Sequence, residues 1–287
     1  MNVAVVGAGR VGTALAVLLQ RAGHIVTAVS GRRETAARAA HHLPGVPVVE
    51  PAEATGRGDL VVLAVPDDVL VSVAAELAEA SAFRPGAWAA HVSGATGLEV
   101  LTPVVAAGAR RLAMHPLQTV PDVEGAIDRI PGSVVAVTAD DEEGADLGAR
   151  LARDIGGHPF RLPDERRPLY HAAAVFGSNY VVTVAGIAEE LFSEAGVPDP
   201  SAALLSLARA SLDNVARLGP AGALTGPAVR GDAGTVVRNL EALRDAAPHA
   251  VPGYVELCRL ALELGERSGR LTAASRTAVE EVLAAWT

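Results

Sequence analysis

Lysine is missing altogether: all 24 basic side chains of the 287-residue chain are arginine. That excludes Schiff-base chemistry on lysine, pyridoxal-phosphate enzymes that anchor their cofactor on it, and P-loop nucleotide hydrolysis, whose lysine reaches the terminal phosphates. Cysteine occurs once, at Cys258, which rules out an intrachain disulfide and any multi-cysteine metal or iron–sulfur centre. Its surroundings, VELCRLALEL, have helical periodicity and make it a small core residue. A positive surface is absent too, since the formal charge is −9 and the pI is near 5.4. With no basic stripe, nucleic acid is not an expected partner. No charge-free apolar run approaches the roughly 20 residues of a membrane helix. The N-terminus passes straight into NVAVVGAGR, without the basic region, apolar core and cleavage site of a signal peptide. The expectation is a soluble, cytoplasmic protein with no membrane partner and no metal.

Half of the residues are apolar, enough for a sizeable core. From Asn2 to about Phe160, short β-branched runs alternate with amphipathic helical stretches, the pattern of a parallel sheet covered on both faces. Strands are predicted at NVAVVG, HIVTAVS, VPVV, LVVLAV, AWAAHVS, RRLAMH and SVVAVT. After about Arg161 the rest reads as helix, at about 164–195, 200–217, 233–245, 251–267 and 272–285, broken by Gly/Pro clusters. The first of these is longer than an ordinary globular helix and apolar over much of its surface, which predicts packing against a partner subunit as well as its own domain.

The strongest motif is VAVVGAGRVGTALAVLL, in which Gly7, Gly9 and Gly12 form G-x-G-x-x-G between a strand and a helix. Gly7 makes the tight turn, Gly9 lets a pyrophosphate approach the backbone, and Gly12 lets helix and strand touch; the loop and helix start include Ala8, Arg10 and Val11. The fold class is therefore α/β, a doubly wound parallel-sheet Rossmann domain over residues 1–160, followed by an all-α domain over 161–287. An NAD site carries a carboxylate at the end of the second strand, for the ribose 2′-hydroxyl. Here TAVSGRRE offers Ser30, Arg32 and Arg33 instead, donors suited to a 2′-phosphate, so the predicted cofactor is NADP. LVVLAVPDDVL places Val65 and Pro66 beside the cofactor at another strand end, with Asp67 or Asp68 read as a helix N-cap.

Two further segments leave strand ends on that side, AHVSGATGLEVL and LAMHPLQTV. Ser93 and Gly94 could bracket nicotinamide or substrate, Ser93 equally serving as a cap; His115 lies in a short polar loop with Gln118 and Thr119. In PLYHAAAVFGSNYVVTV a single helix would set Ser178 two turns above His171, and Asn179 roughly 80° away. Three polar side chains on one face of an apolar helix need protein partners or a ligand. Reduction by hydride needs a proton donor; without lysine, histidine is the candidate, and His171 ranks ahead of His115. Ser178 and Asn179 would hold the substrate oxygen, while Tyr170 is expected on a different face as a packing residue. His24, His41, His42, His158 and His249 read as surface or structural. In LTGPAVRGDAGTV, Arg230 could clamp a substrate carboxylate with Asp232 ordering the loop; alternatively Asp232 caps the next helix and pairs with Arg230.

Taken in order, the glycine fingerprint, DLVVLAVPDD, HVSGA, HPLQT, YHAAAVFGSNY and GPAVRGD resemble the Rossmann-like reductases of the 6-phosphogluconate dehydrogenase superfamily often known only as a domain of unknown function. The resemblance covers nearly the whole chain. It implies an NADP-dependent oxidoreductase and a homodimer formed through the helical domain. Some members of that family are implicated as ketopantoate reductases in pantothenate synthesis. The better-known ketopantoate reductases carry Lys-x-x-x-Asn-x-x-x-Asn on a helix, with the lysine as acid; aligned on Asn179, that pattern puts Val175 at the first asparagine and His171 at the lysine. Pyrroline-5-carboxylate reductase and prephenate dehydrogenase share the superfamily, and MHPLQT resembles the His-Pro segment of the latter. The functional expectation is reduction of a small 2-oxo acid. The alternatives are a cyclic imine or cyclohexadienyl acid as substrate, or an NADP(H) sensor without catalysis.

Overall fold

The structure, a computed structural model, describes residues 1–286. It divides into two compact units, Met1–Ser178 and Asn179–Thr287. The first is built on a seven-stranded sheet of order β2-β1-β3-β4-β5-β6-β7. Its strands are β1 (Asn2–Val6), β2 (Ile25–Ser30), β3 (Leu60–Leu63), β4 (Trp88–His91), β5 (Arg110–Pro116), β6 (Val134–Ala139) and β7 (His158–Arg161). The helices of this unit are α1 (Arg10–Arg21), α2 (Thr35–His42), α3 (Pro51–Thr55), α4 (Asp67–Glu79), α5 (Thr102–Ala106), α6 (Val123–Arg129), α7 (Glu142–Asp154) and α8 (Arg167–Gly177). Strands β1 and β3 are buried over most of their length, as continuous apolar runs between two helical layers must be. Two apolar clusters fill the layers, one containing Leu15, Leu19, Met114 and Leu151, the other Leu63, Leu70, Leu77 and Leu101.

The sheet departs from the all-parallel expectation at one place. β5 and β6 pair antiparallel, Pro116 opposite Val135 and Leu112 opposite Ala139, and β7 then runs parallel to β6. VPVV contributes only a bridge between Val29 and Val48, whereas HPFR, too short and polar to stand out, forms the edge strand β7. The register puts the C-terminal ends of β1, β3, β4 and β5 on one edge of the sheet, where ligands of open α/β sheets bind.

The predicted helix over 164–195 is not continuous. A single 3-10 turn (Asp164–Arg166) leads into α8, and Ser178, at φ −131° and ψ −74°, ends it. Ser178 follows Gly177, and neither residue holds a helix well. The two-turn phase relation that put Ser178 above His171 therefore does not apply. Residues 164–194 are long and apolar enough to pass for a membrane span by composition. Neither helix within them, 11 and 16 residues long, reaches the roughly 20 residues that a bilayer core requires.

The second unit comprises α9 (Asn179–Glu194), α10 (Pro200–Ala223), α11 (Pro227–Arg230), α12 (Ala233–Ala246), α13 (Val251–Arg267) and α14 (Ala273–Ala284). α10 is bent by Gly219 and Pro220, the former at positive φ and the latter unable to donate to the helix ladder. Val236, Leu240, Val255, Leu262, Val279 and Leu283 form its core with Cys258, the buried thiol expected from the sequence.

Candidate active site

The glycine loop takes the shape that its motif demands. Gly7 has φ +91°, and a β-carbon there would lie 2.6 Å from the Ala64 carbonyl oxygen; one at Gly12 would strike the Gly7 carbonyl oxygen and the side chains of Ala64 and Val5. Gly9 differs, with nothing closer to such an atom than the Gly7 oxygen at 3.9 Å. Backbone is thus exposed at the one position where a pyrophosphate must come close. The amides of Gly7 and Ala8 are engaged by the Ser30 carbonyl oxygen at 2.9 and 2.8 Å. The anion site that remains is the start of α1 at Arg10 and Val11, whose first amides have no helical partner.

From Gly7 and Gly9 a cavity of about 780 Å³ extends past Ser30, Arg32 and Arg33. Ser30 is buried, and both arginines are exposed. A third arginine, Arg38 on α2, lines the same cavity; it donates to the Ala8 carbonyl at 2.9 Å and to Glu34 at 3.0 Å. The carboxylate nearest in sequence to the ribose position is therefore already paired. Thus the donor set suits a 2′-phosphate better than a bare ribose.

A second cavity, about 460 Å³, continues from Gly9, Arg10 and Val11 past Val65 and Pro66 to Ser93, His115 and Gln118. Asp67 is not the N-cap the sequence suggested. Pro66 holds that position without a side-chain bond, and Asp67, the first residue of α4, accepts the Ser93 hydroxyl at 2.9 Å. The same hydroxyl accepts the Thr96 amide at 3.0 Å. Ser93 thus serves the loop after β4 while lining the cavity. Gln118 braces its own loop, accepting the Thr119 amide at 2.9 Å and donating to the Arg129 carbonyl.

At the next residue the geometry becomes diagnostic. A β-carbon on Gly94 would lie 2.8 Å from His115 Nε2 and 3.0 Å from His171 Cδ2. Two imidazoles, one at the end of β5 and one on α8, therefore touch the same glycine from different elements. His115 bonds through Nδ1 to the Tyr170 hydroxyl at 2.8 Å, with the rings edge to face. Tyr170 is thus not a packing residue on another face. Three and four residues beyond Arg167, Tyr170 and His171 share its side of α8.

Two buried residues in this region went unnoticed in the sequence. Arg167 has no exposed surface. Its guanidinium donates to the carbonyls of Thr96 (2.6 Å) and Ser93 and to Thr138 Oγ1 (2.8 Å), fastening α8 to the β4 loop and to β6. Asp164 adds bonds from the Leu98 amide at 3.1 and 3.2 Å. Within DERRPLY nothing marks Arg167 off from its exposed neighbours. His91 is buried inside the run AWAAHVS, where the Gly97 backbone offers its ring only a weak hydrogen bond. A histidine in an otherwise apolar strand was the available signal. Burial, together with the Arg167 charge, lowers the pKa of His91 to about 3. Burial, Arg167 and His171 lower that of His115 to about 4, and burial raises that of Tyr170 to about 12. At neutral pH, His115 and Tyr170 both stand in their neutral forms.

The remaining predicted residues lie in the second unit. Asn179 begins α9. Asp232 caps α12, accepting the Thr235 amide at 3.0 Å and the Thr235 hydroxyl at 2.7 Å, bonds that hold its carboxyl below the usual range. Arg230 is exposed at the end of α11 and enters no ion pair among the described residues.

Comparison with known proteins agrees with this architecture. Residues 1–116 match the model of a Rossmann-like domain, and residues 133–261 match a domain of unknown function, DUF2520. The chain is similar to each model over those stretches. A candidate NADP oxidoreductase from Bacteroides fragilis superposes with a TM-score of 0.78 at 24% identity, over 91% of this chain and 98% of that one. A protein from Thermotoga maritima superposes at 0.70 and 24% identity, over 92% and 98%. Pyrroline carboxylate reductase from Plasmodium falciparum, solved with NADP bound, gives 0.59 at 14% identity over 92% and 98%. The chain shares its fold with them; no curated protein matches it.

Proposed function

We propose that the chain is an NADPH-dependent reductase that transfers hydride to a small 2-oxo acid, a reaction of the ketopantoate-reductase kind. One observation carries this reading: the crevice that begins at the glycine loop and the Ser30–Arg33 segment ends at His115 and Gly94, where a second imidazole, His171, also arrives. Gly9, the start of α1, Arg32 and Arg33 would hold the dinucleotide, which when bound supplies a hydride at its nicotinamide ring. The protein's share of the chemistry is to take water's place around the carbonyl and to deliver a proton to its oxygen. Two imidazoles at one glycine suit that task; Arg230, in no ion pair among the described residues, is a candidate to bind a carboxylate. A sensor would have no use for a proton donor at the end of its cofactor crevice.

A cyclic imine is the second reading, favoured because proteins of this fold include pyrroline-5-carboxylate and imine reductases. The deciding experiment is NADPH oxidation against a panel of 2-oxo acids and cyclic imines. Turnover confined to imines would overturn the oxo-acid reading, and NADPH binding without turnover of any compound would favour the sensor. As for assembly, α9 and α10 bury none of their residues, and Val182, Leu207 and Leu212 are 71, 59 and 59% exposed. Apolar surface on that scale fits a homodimer formed through the second unit. Light scattering should give twice the chain mass, and Leu207→Asp together with Leu212→Asp should give the monomer.

A further inference from the structure

We propose that His115 is the proton donor, acting as a neutral imidazole through Nε2, and that Tyr170 is the positioning residue that fixes its tautomer. The inference rests on the reductase reading and settles a choice that reading leaves open between the two imidazoles. Three observations single out His115. It lines the 460 Å³ cavity that continues the cofactor crevice. Its Nε2, an atom able to carry a proton, comes nearer to Gly94 than any atom of His171, whose Cδ2 approaches most closely. Its other nitrogen, Nδ1, is held by the Tyr170 hydroxyl at 2.8 Å.

The hydrogen bond decides which nitrogen carries hydrogen. A phenol is a far stronger acid than a neutral imidazole N–H, so the phenol donates and Nδ1 accepts. The one ring hydrogen of neutral His115 is then on Nε2, at the Gly94 side. The charged and titratable groups around the pair are Arg167 and His171 on α8, His91 on β4, and Asp67, which reaches the loop through Ser93. Burial, then the Arg167 charge and His171, disfavour a second cation at His115, so the imidazole stays neutral. A neutral imidazole acting as hydrogen-bond donor to a developing oxyanion is an established device, with triosephosphate isomerase the known example.

The step balances. The carbonyl carbon gains a hydride and its two electrons from NADPH, leaving NADP⁺, and the carbonyl π pair moves to oxygen. The oxygen takes the Nε2 proton of His115 while the Tyr170 hydroxyl proton passes to Nδ1. Tyr170, only partly buried, then recovers a proton from water, and proton exchange restores the starting tautomer.

The test has two readouts. Nitrogen NMR of ¹⁵N-histidine-labelled protein at neutral pH should show His115 uncharged with hydrogen on Nε2, and Tyr170→Phe should give a mixture of tautomers. With the best substrate from the panel, Tyr170→Phe should lower kcat roughly tenfold with little change in KM, and His115→Ala should lower it by about 10²–10⁴-fold. His171→Ala should act mainly on KM. Hydrogen on Nδ1, or a cationic His115 at neutral pH, would overturn the inference even in an active reductase. So would wild-type tautomer and turnover in Tyr170→Phe. Failure of wild type to oxidise NADPH with any compound would instead remove the reductase reading, and the catalytic role with it, while the NMR result still reports the tautomer.

Discussion

Gly94→Ala should cripple the protein without unfolding it. The added methyl would stand 2.8 Å from His115 Nε2, 2.9 Å from His115 Cε1 and 3.0 Å from His171 Cδ2. Heavy atoms in favourable contact lie about 3.5–4.0 Å apart, so the two rings must retreat by on the order of 0.5–1 Å. A displacement of about 1 Å at a reacting group costs roughly 10²-fold in rate, and overpacking of this size costs about 1–3 kcal/mol of stability. The backbone itself is no obstacle, because Gly94 is not among the residues at positive φ. The variant is therefore expected to keep its fold and its affinity for NADPH, measured by fluorescence titration, while kcat falls about a hundredfold. Gly253→Ala on α13 serves as control: a β-carbon there meets nothing within 4 Å, and the helix gains from the exchange. Full turnover by Gly94→Ala would mean that the two imidazoles do not act where they meet.

Replacing Arg32 and Arg33 together by alanine should raise the Kd for NADPH roughly 10–100-fold and leave NADH nearly unchanged, since only the former loses charge-assisted bonds to phosphate; equal losses for both cofactors would contradict the 2′-phosphate assignment. The folded state holds His91 at about 3 and His115 at about 4, below the unfolded value near 6.5. The unfolded chain therefore binds more protons as pH falls below that value. Stability should be fully present above it and decline by roughly 1.4 kcal/mol per pH unit for each imidazole on the way down to the folded pKa values; urea midpoints that stay level between neutral pH and pH 4.5 would refute this. Arg167→Met strands three acceptors, two of them buried, and should cost on the order of 3–5 kcal/mol. It should also raise the pKa of His115, visible by NMR, and an unmoved pKa would show that Arg167 exerts no field there.

The parts of this molecule written in hydrophobic periodicity were legible. Residues 251–267 form a helix with the bounds read from the sequence, and the strand–glycine–helix fingerprint folds as its spacing requires. Strand direction is not written there, because an antiparallel β6 shows the same apolar run as a parallel one. β7, four residues with a proline and two charged or polar neighbours, carries too little pattern to find. At the site the residue types were legible while their partners were not. Helical phase was extended through Gly177 and Ser178, two weak helix formers, and so Ser178 was placed on the His171 face. The face of Tyr170 is hidden for a related reason: the inward side of α8 is set by Arg167, and the burial of an arginine among charged neighbours leaves no mark in the sequence.

The reversal of β6 and β7 determines where α8 starts. β5 ends at the ligand-bearing edge with His115 and Pro116, and β6 leads the chain back to the opposite edge. β7 runs the same way and ends with Arg161 beside Val137, and α8 follows within six residues. Arg167 locks its first turn to Thr138 and to the loop after β4, and the very next turn presents Tyr170 and His171. The two imidazoles and Tyr170 therefore belong to the same compact unit as the glycine loop. Substitutions within residues 179–286 would leave the His115–Tyr170 pair and the glycine loop together in one folded unit.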